Sequence, residues 1–251
     1  MNMGKFAAIL SVLSLFLGGM LGYSYAFVRI SQQLNEKKDN TPASAPLLEK
    51  APQLSDAAPF PQIISGTTDK GVLPLDSVCV PVLDAITEAA DATMAELNAP
   101  TSPLKGLARI NECSRFFEDS LLEKLDEHPD LRCKTPLNKE GKAQRSGYPD
   151  LIITHQPTGR TYYLDPKLYE AESESSSLRT FYYTPRKETS KILKSAHHLL
   201  IGFAHNGKDG DWTFQSWSLV DLSKISLTLK SEYNASNRDL YQSENKVRTS
   251  H

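Results

Sequence analysis

The sequence predicts an α/β domain in which a mixed β-sheet is flanked by helices. Two stretches with apolar residues at helical spacing come first. A pair of strand-like runs joined by a short Pro/Gly turn follows them, and two more apolar strand candidates, His198 to Ala204 and Trp212 to Leu222, lie further along the chain. Helices, a hairpin and further strands in this order indicate a single mixed-sheet core.

The two helices are expected to precede the hairpin directly. The first spans Ser77 to Leu97 and ends before Pro100, which cannot continue a helix. The second runs from about Leu104 to Leu125 and stops at His128-Pro129. Its apolar positions recur every three or four residues, at Ile110, Cys113, Phe117, Leu121 and Leu125.

The folded domain is expected to occupy residues 73–230. Residues 31–72 are rich in Pro, Ala, Ser, Asp and Lys and have few large apolar side chains, so they predict a disordered linker. Residues 231–251 are mostly polar and predict a C-terminal tail.

Residues 1–30 predict a targeting segment. The uncharged apolar stretch from Phe6 to Val28 is long enough to cross a bilayer as a transmembrane helix. It also fits a secretory signal peptide that is cleaved after Ala26. We therefore expect a cell-envelope protein, either anchored in the membrane with its domain outside the cytoplasm or secreted into the periplasm or medium.

The predicted hairpin carries three charged side chains that can meet. Its first arm follows Tyr148-Pro149-Asp150, and its second arm contains Asp165-Pro166-Lys167. Because side chains alternate along a strand, Asp165 and Lys167 point to the same side, roughly 7 Å apart, and pairing can bring Asp150 beside them. Carboxylates bind hard divalent cations, and a lysine can neutralise charge in a transition state. The pattern therefore predicts metal-assisted phosphodiester hydrolysis by these three residues.

With Pro149-Asp150, fourteen intervening residues and Asp165-Pro166-Lys167, the chain resembles the PD-(D/E)XK nucleases, which have the restriction-endonuclease-like fold. The resemblance covers about residues 110–205. It implies a DNA endonuclease that depends on Mg²⁺ or Mn²⁺. Pro129-Asp130 with Glu140-Gly141-Lys142 also fits the pattern, but no apolar strand leads into that triplet, so the hairpin set is the candidate site.

The same resemblance implies a further carboxylate from the preceding helix. A helix turns by about 100° per residue, which places Glu118 on the flank of the apolar stripe. Glu112, Asp119 and Glu123 fall on the opposite face. Glu118 is therefore expected to join the two aspartates as a metal ligand, with a solvated helix acid as the alternative.

Basic residues are concentrated around the candidate site, although the net charge of the chain is −2. From Leu131 to Lys208 there are thirteen Lys and Arg against seven Asp and Glu, a local balance of +6. Arg179, Arg186 and Lys187 alternate with aromatic residues and are expected to bind nucleic acid, with a core role for the aromatics as the alternative. We expect DNA binding that weakens steeply with salt and shows little sequence preference.

Pro166 raises the question of whether the candidate site is catalytically active. Proline has no N–H for strand pairing, and a β-bulge at this position would re-aim Asp165 or Lys167. The alternative to an enzyme is therefore a catalytically inactive nuclease-fold binding module of the cell envelope.

The cysteine content permits one disulfide. Cys79, Cys113 and Cys133 include no Cys-x-x-Cys pair, so a zinc site is not expected. In an exported protein the favoured pair is Cys113 with Cys133, and the alternative is three buried thiols.

Overall fold

The computed structural model describes residues 57–144, 146–186, 188–229 and 233–250. They belong to one compact unit, residues 52–251. The helices are α1 (Phe60–Thr68), α2 (Val80–Asn98), α3 (Ile110–Glu127) and α4 (Asn237–Leu240). The strands are β1 (Ala57–Pro59), β2 (Leu131–Lys134), β3 (Leu151–His155), β4 (Thr161–Glu170), β5 (Arg179–Tyr183), β6 (His197–His205), β7 (Phe214–Asp221), β8 (Ser226–Leu229), β9 (Tyr233–Ser236) and β10 (Lys246–Thr249).

The main sheet has six strands in the order β10-β7-β6-β4-β3-β2. Strands β4 and β6 run parallel, and all other neighbours in this sheet are antiparallel. All nine residues of β6 are buried, as expected for a strand covered on both faces. The predicted mixed sheet flanked by helices is therefore present.

Helices α2 and α3 cover one face of the main sheet. They share a core with the residues of β3, β4, β6 and β7 that point towards them. In this core Phe117 of α3 lies with the strand residues Leu164, Phe203 and Trp217. Both helices present apolar residues at helical spacing, which is why they pack as a pair on the sheet. They begin later and end one or two residues later than the sequence predicts.

The opposite face is covered by a second sheet, which sequence reasoning did not predict. Its four strands lie in the order β1-β8-β9-β5 and come from distant parts of the chain. Together with α1 they form a second core that includes Phe60, Ile64, Phe181 and Leu227 against Tyr163 and Leu200 of the main sheet. The domain therefore has three layers, with helices, a mixed sheet and a small antiparallel sheet.

Both expected domain boundaries need correction. Residues 57–72 do not belong to a linker, because β1 and α1 are part of the fold and bury Phe60 and Ile64 completely, while the rest of the predicted linker lies outside the described residues. The predicted tail 231–251 contributes β9, α4 and β10, and β10 pairs with β7 at the edge of the main sheet. Polar composition misled the prediction at both ends, because edge strands and short helices need few large apolar residues.

The predicted targeting segment, residues 1–30, lies outside the described residues. In the part of the chain that the structure describes, no helix is both long and apolar enough to cross a bilayer.

All three cysteines are buried and free. The predicted pair of Cys113 and Cys133 does not form a disulfide, although both side chains contribute to the same core. Burial raises the pKa of the Cys113 thiol to about 11 and that of Cys133 to about 12, with the nearby Glu112 and Asp126 carboxylates contributing. These thiols act as small apolar core residues.

Candidate active site

The β3–β4 hairpin places the two aspartates opposite each other. Leu151 at the start of β3 pairs with Leu164 of β4, so the next position outward on each strand holds Asp150 and Asp165. Directly opposed residues of an antiparallel pair have Cβ atoms about 4.5–5.5 Å apart. The local register, which the turn between Gln156 and Arg160 sets, is thus what brings the carboxylates together.

The ammonium group of Lys167 joins both carboxylates. Its Nζ atom lies 2.5 Å from Oδ2 of Asp165 and 3.3 Å from Oδ2 of Asp150. Asp165 is 2% exposed, whereas Asp150 and Lys167 retain 13% and 24% of their side-chain surface. The cluster therefore lies mostly inside the protein but opens to solvent on one side.

Burial shifts the pKa of both main partners. Burial raises the pKa of Asp165 to about 7. The Asp150 carboxylate, which lies within hydrogen-bonding reach, also raises this pKa, whereas the positive charge of Lys167 lowers it. For Lys167, burial by itself lowers the pKa, but the two carboxylates outweigh it and raise the pKa above its ordinary value. Lys167 is thus held as a cation, and Asp165 titrates near neutral pH.

A buried Tyr–His pair supports the segment that carries Asp150. The hydroxyl of Tyr148 shares a 2.7 Å hydrogen bond with Nδ1 of His198, which lies on β6, and the two rings stack at 5.8 Å. Burial lowers the pKa of His198 to about 3, so this imidazole is neutral. The neighbouring His197 points the other way, towards Cys79, because adjacent strand residues face opposite sides of a sheet. The pair fixes the chain two residues before Asp150.

Lys191 reaches the site, although in the sequence it is only one of the thirteen basic residues between Leu131 and Lys208. Its side chain is 1% exposed, and its Nζ atom lies 3.9 Å from Oδ1 of Asp150 and donates to the carbonyl of Gln144 at 3.1 Å. Burial lowers the pKa of Lys191, and the carboxylates of Asp150, Asp165 and Glu118 oppose that shift. A lysine in a stretch without regular periodicity gives no sequence signal for this position.

Glu118 lies close to Asp150. It is half-buried on α3 and lines a shallow cavity together with Asp150. The cavity also borders Asp119, which the helical geometry placed on the opposite face. Within the described residues, no group of three or more acidic, histidine or cysteine side chains is arranged to hold a metal ion.

Pro166 does not break the strand. Every residue of β4 from Tyr162 to Glu170 pairs with β6 in one continuous parallel register. Pro166 therefore causes no bulge in this pairing, and Asp165 and Lys167 point to the same side as the sequence predicts. The competing motif has no such setting, since Asp130 is exposed and Glu140 and Lys142 form an exposed ion pair in a turn region.

The structure describes the three expected DNA-binding residues to different extents. Arg179 opens β5 and pairs with Ser236, but its side chain lies outside the described part of the structure, as does Lys187 entirely. Arg186 is exposed and lines a cavity with Lys191. Of the three, Arg186 thus lines a cavity that it shares with Lys191.

Comparison with known proteins assigns the chain to a family. A model of the type II restriction enzyme MjaV family matches residues 54–244, a range that contains α1 as well as the charged cluster. A stretch of 140 residues is 33% identical to the type II restriction enzyme MjaV of Methanocaldococcus jannaschii and covers 53% of this chain. The chain spans 60% of the length of that curated relative. Because the family match covers most of its length, this chain belongs to the MjaV family of type II restriction enzymes.

Proposed function

We propose that this protein is a divalent-metal-dependent endonuclease that hydrolyses phosphodiester bonds of DNA, with a site of the PD-(D/E)XK type. The observation that carries the proposal is the convergence of Asp150 and Asp165 on the ammonium of Lys167 at one end of the hairpin. Membership in a family of type II restriction enzymes supports the same chemistry and DNA as the partner.

The donor set fits a hard divalent cation such as Mg²⁺ or Mn²⁺. Two carboxylates lie side by side, and Oδ2 of Asp165 is buried, where a nearby positive charge is most stabilising. Asp150 and Asp165 would hold the ion, and we propose Glu118 as the third carboxylate because it borders the same cavity as Asp150. When bound, such an ion lowers the pKa of a coordinated water and offsets developing negative charge.

The protein side chains divide the remaining work. Lys167 keeps its positive charge through its carboxylate partners and lies at the open side of the cluster, where it can neutralise charge that develops on a phosphate oxygen. Asp150 is held in place by the Tyr148–His198 pair before it and by β3 after it. This support keeps the carboxylates oriented before DNA arrives.

No observation favours the inactive binding module. That alternative depended on a break in the strand at Pro166, and β4 pairs with β6 without interruption. The expectation of little sequence preference also changes, since we infer from the family that cleavage is sequence-specific.

Plasmid cleavage by the full chain in Mg²⁺ tests the proposal. We expect discrete fragments, their loss on chelation, and their loss in Asp165→Asn, whereas Asp130→Asn removes an exposed aspartate of the competing motif and should cut normally. A smear would indicate a non-specific nuclease. Equal activity of Asp165→Asn and wild type would contradict the assigned site.

A further inference from the structure

A second cavity adjoins the carboxylate cluster on the side away from α3. It has a volume of about 210 Å³ and lies between the segment leading to Asp150 and the chain that follows β5. This volume is several times the ~30 Å³ share of one water molecule, so a small polar group can enter. The cavity lies next to the candidate reaction centre, and the proposed chemistry assigns no role to the cavity.

The lining of this cavity favours an anion. Among the described residues that line it, two are cationic, Arg186 and Lys191, and none is acidic. Hydroxyl groups complete the wall, from Ser146, Thr184, Thr189, Ser190 and the tyrosines. Arg, Lys and hydroxyl groups are the side chains that bind phosphate oxygens in proteins.

Lys191 connects the cavity to the carboxylates. Its ammonium group lies 3.9 Å from Asp150, a long contact, and its side chain is 1% exposed. A fully buried lysine is rare in proteins and usually indicates a specific electrostatic role. Arg186 contrasts with it because its side chain is exposed, so solvent reaches the cavity on this side.

We propose that this cavity is a phosphate subsite, in which Lys191 and Arg186 hold a backbone phosphate of the DNA strand that is being cut. The subsite rests on the proposed nuclease function and adds a substrate contact to it. A phosphate held there would place the neighbouring phosphodiester against Asp150 and Lys167, which positions the substrate without base recognition.

Binding of a fluorescent DNA duplex to the full chain in EDTA tests the subsite without cleavage. We expect Arg186→Gln and Lys191→Gln each to weaken binding on the order of tenfold. Each should also reduce the slope of log affinity against log salt by about 0.9, the contribution of one phosphate contact. The control is Lys194→Gln, an exposed lysine three residues away that does not line the cavity.

Binding by both variants that matches wild type in affinity and salt slope would overturn the subsite. If Lys191→Gln fails to fold, as circular dichroism would show, Arg186→Gln decides alone, because an exposed arginine can be replaced without disturbing the core. Effects of the same size in Lys194→Gln would also overturn the subsite, since they would reflect general charge.

Inorganic phosphate separates this inference from the nuclease proposal. In thermal melts at constant ionic strength, phosphate should raise the melting temperature of wild type but not of Arg186→Gln. If phosphate stabilises wild type in this way but the protein cuts no DNA, the anion site exists and the nuclease proposal is wrong. If wild type cuts DNA and both variants bind DNA as tightly as wild type, the protein is a nuclease and the proposed subsite is wrong. If DNA binding depends on the two residues and free phosphate has no effect, the subsite accepts only phosphates within a strand.

Discussion

At the scale of single residues, the candidate site depends on two ionisable groups of opposite sign, the buried Asp165 and the partly buried Lys167. Lys167 and Asp165 lie 2.5 Å apart, and each changes the ionisation of the other. A pair of this kind costs free energy to bury and is therefore better explained by function than by stability.

Replacing Lys167 by alanine should reduce cleavage by a factor on the order of 10²–10³, the effect of losing one charge-stabilising group in a transition state. Single-turnover cleavage at saturating Mg²⁺ measures this change. The matched control is Lys142→Ala, which removes the exposed lysine of the competing motif and should leave the rate unchanged. A melting temperature that collapses along with activity would instead assign Lys167 a structural role.

Metal affinity should rise with pH up to about pH 7. Asp165 has a pKa of about 7 because it is buried, so below that pH a cation must displace its proton. Affinity for Mn²⁺ should then increase roughly tenfold per pH unit in that range, if one proton is released. Calorimetric titration at several pH values tests this, and Asp165→Asn should remove the dependence. A flat profile in wild type would show that Asp165 is already ionised.

The same shift has a consequence for stability without metal. Because the folded pKa of Asp165 is raised above its ordinary value, the folded protein binds the proton more tightly than the unfolded chain does. This residue therefore makes the protein less stable as pH rises from about 4 to about 7.

At the scale of elements, the site depends on how a helix and a hairpin meet. The hairpin carries Asp150, Asp165 and Lys167, whereas Glu118 comes from α3 and shares a cavity with Asp150. Local pairing thus brings three residues together, and helix packing places Glu118 at a cavity that Asp150 also lines.

Glu118→Gln should raise the Mg²⁺ concentration needed for half-maximal cleavage, on the order of tenfold or more, as expected for a residue that supports a metal site. Glu112→Gln and Glu123→Gln are matched controls, because both side chains are exposed on the same helix. Magnesium titrations of the cleavage rate compare the three. Indistinguishable curves for all variants would exclude α3 from the site.

At the scale of the whole molecule, the C-terminal segment packs over the centre of the main sheet. Tyr241, just after α4, stacks on Tyr169 of β4 with ring centroids 4.4 Å apart. Gly202 of β6, which pairs with Lys167, lies beneath this stack. A Cβ atom at Gly202 would overlap the Tyr241 hydroxyl and stand 3.0 Å from the ring of Tyr169. Residues of the C-terminal segment therefore cover the main sheet next to the candidate site.

Gly202→Ala should therefore lower the free energy of unfolding by about 1–3 kcal/mol, the cost of overpacking a core. Gly66→Ala is the matched control. Gly66 lies exposed in α1 with no atom near its Cβ position, so alanine should stabilise the protein by about 0.5–1 kcal/mol. Urea denaturation measures both. Stabilisation by Gly202→Ala would show that the tyrosine stack moves aside freely.

The periodicity of the sequence predicted the structure correctly where the contacting residues are close together in the chain. The hairpin, both long helices, β6 and β7 were predicted, and Asp165 and Lys167 point to one side because strand side chains alternate. Membership in a restriction enzyme family agrees with the functional class that this motif indicated, while the nuclease activity, the PD-(D/E)XK assignment and the metal remain proposals. The prediction failed at the second sheet, because β5 and β9 pair across about fifty residues of chain.

By itself the sequence determined the α/β class, the hairpin and the charged triplet on it, because strand and helix periodicities are properties of neighbouring residues. Only the tertiary structure decided that α1 belongs to the domain and that Lys191 reaches Asp150. It also decided that Pro166 leaves the strand intact. Each of these depends on contacts between segments far apart in the chain, and such contacts produce no local pattern from which they can be predicted.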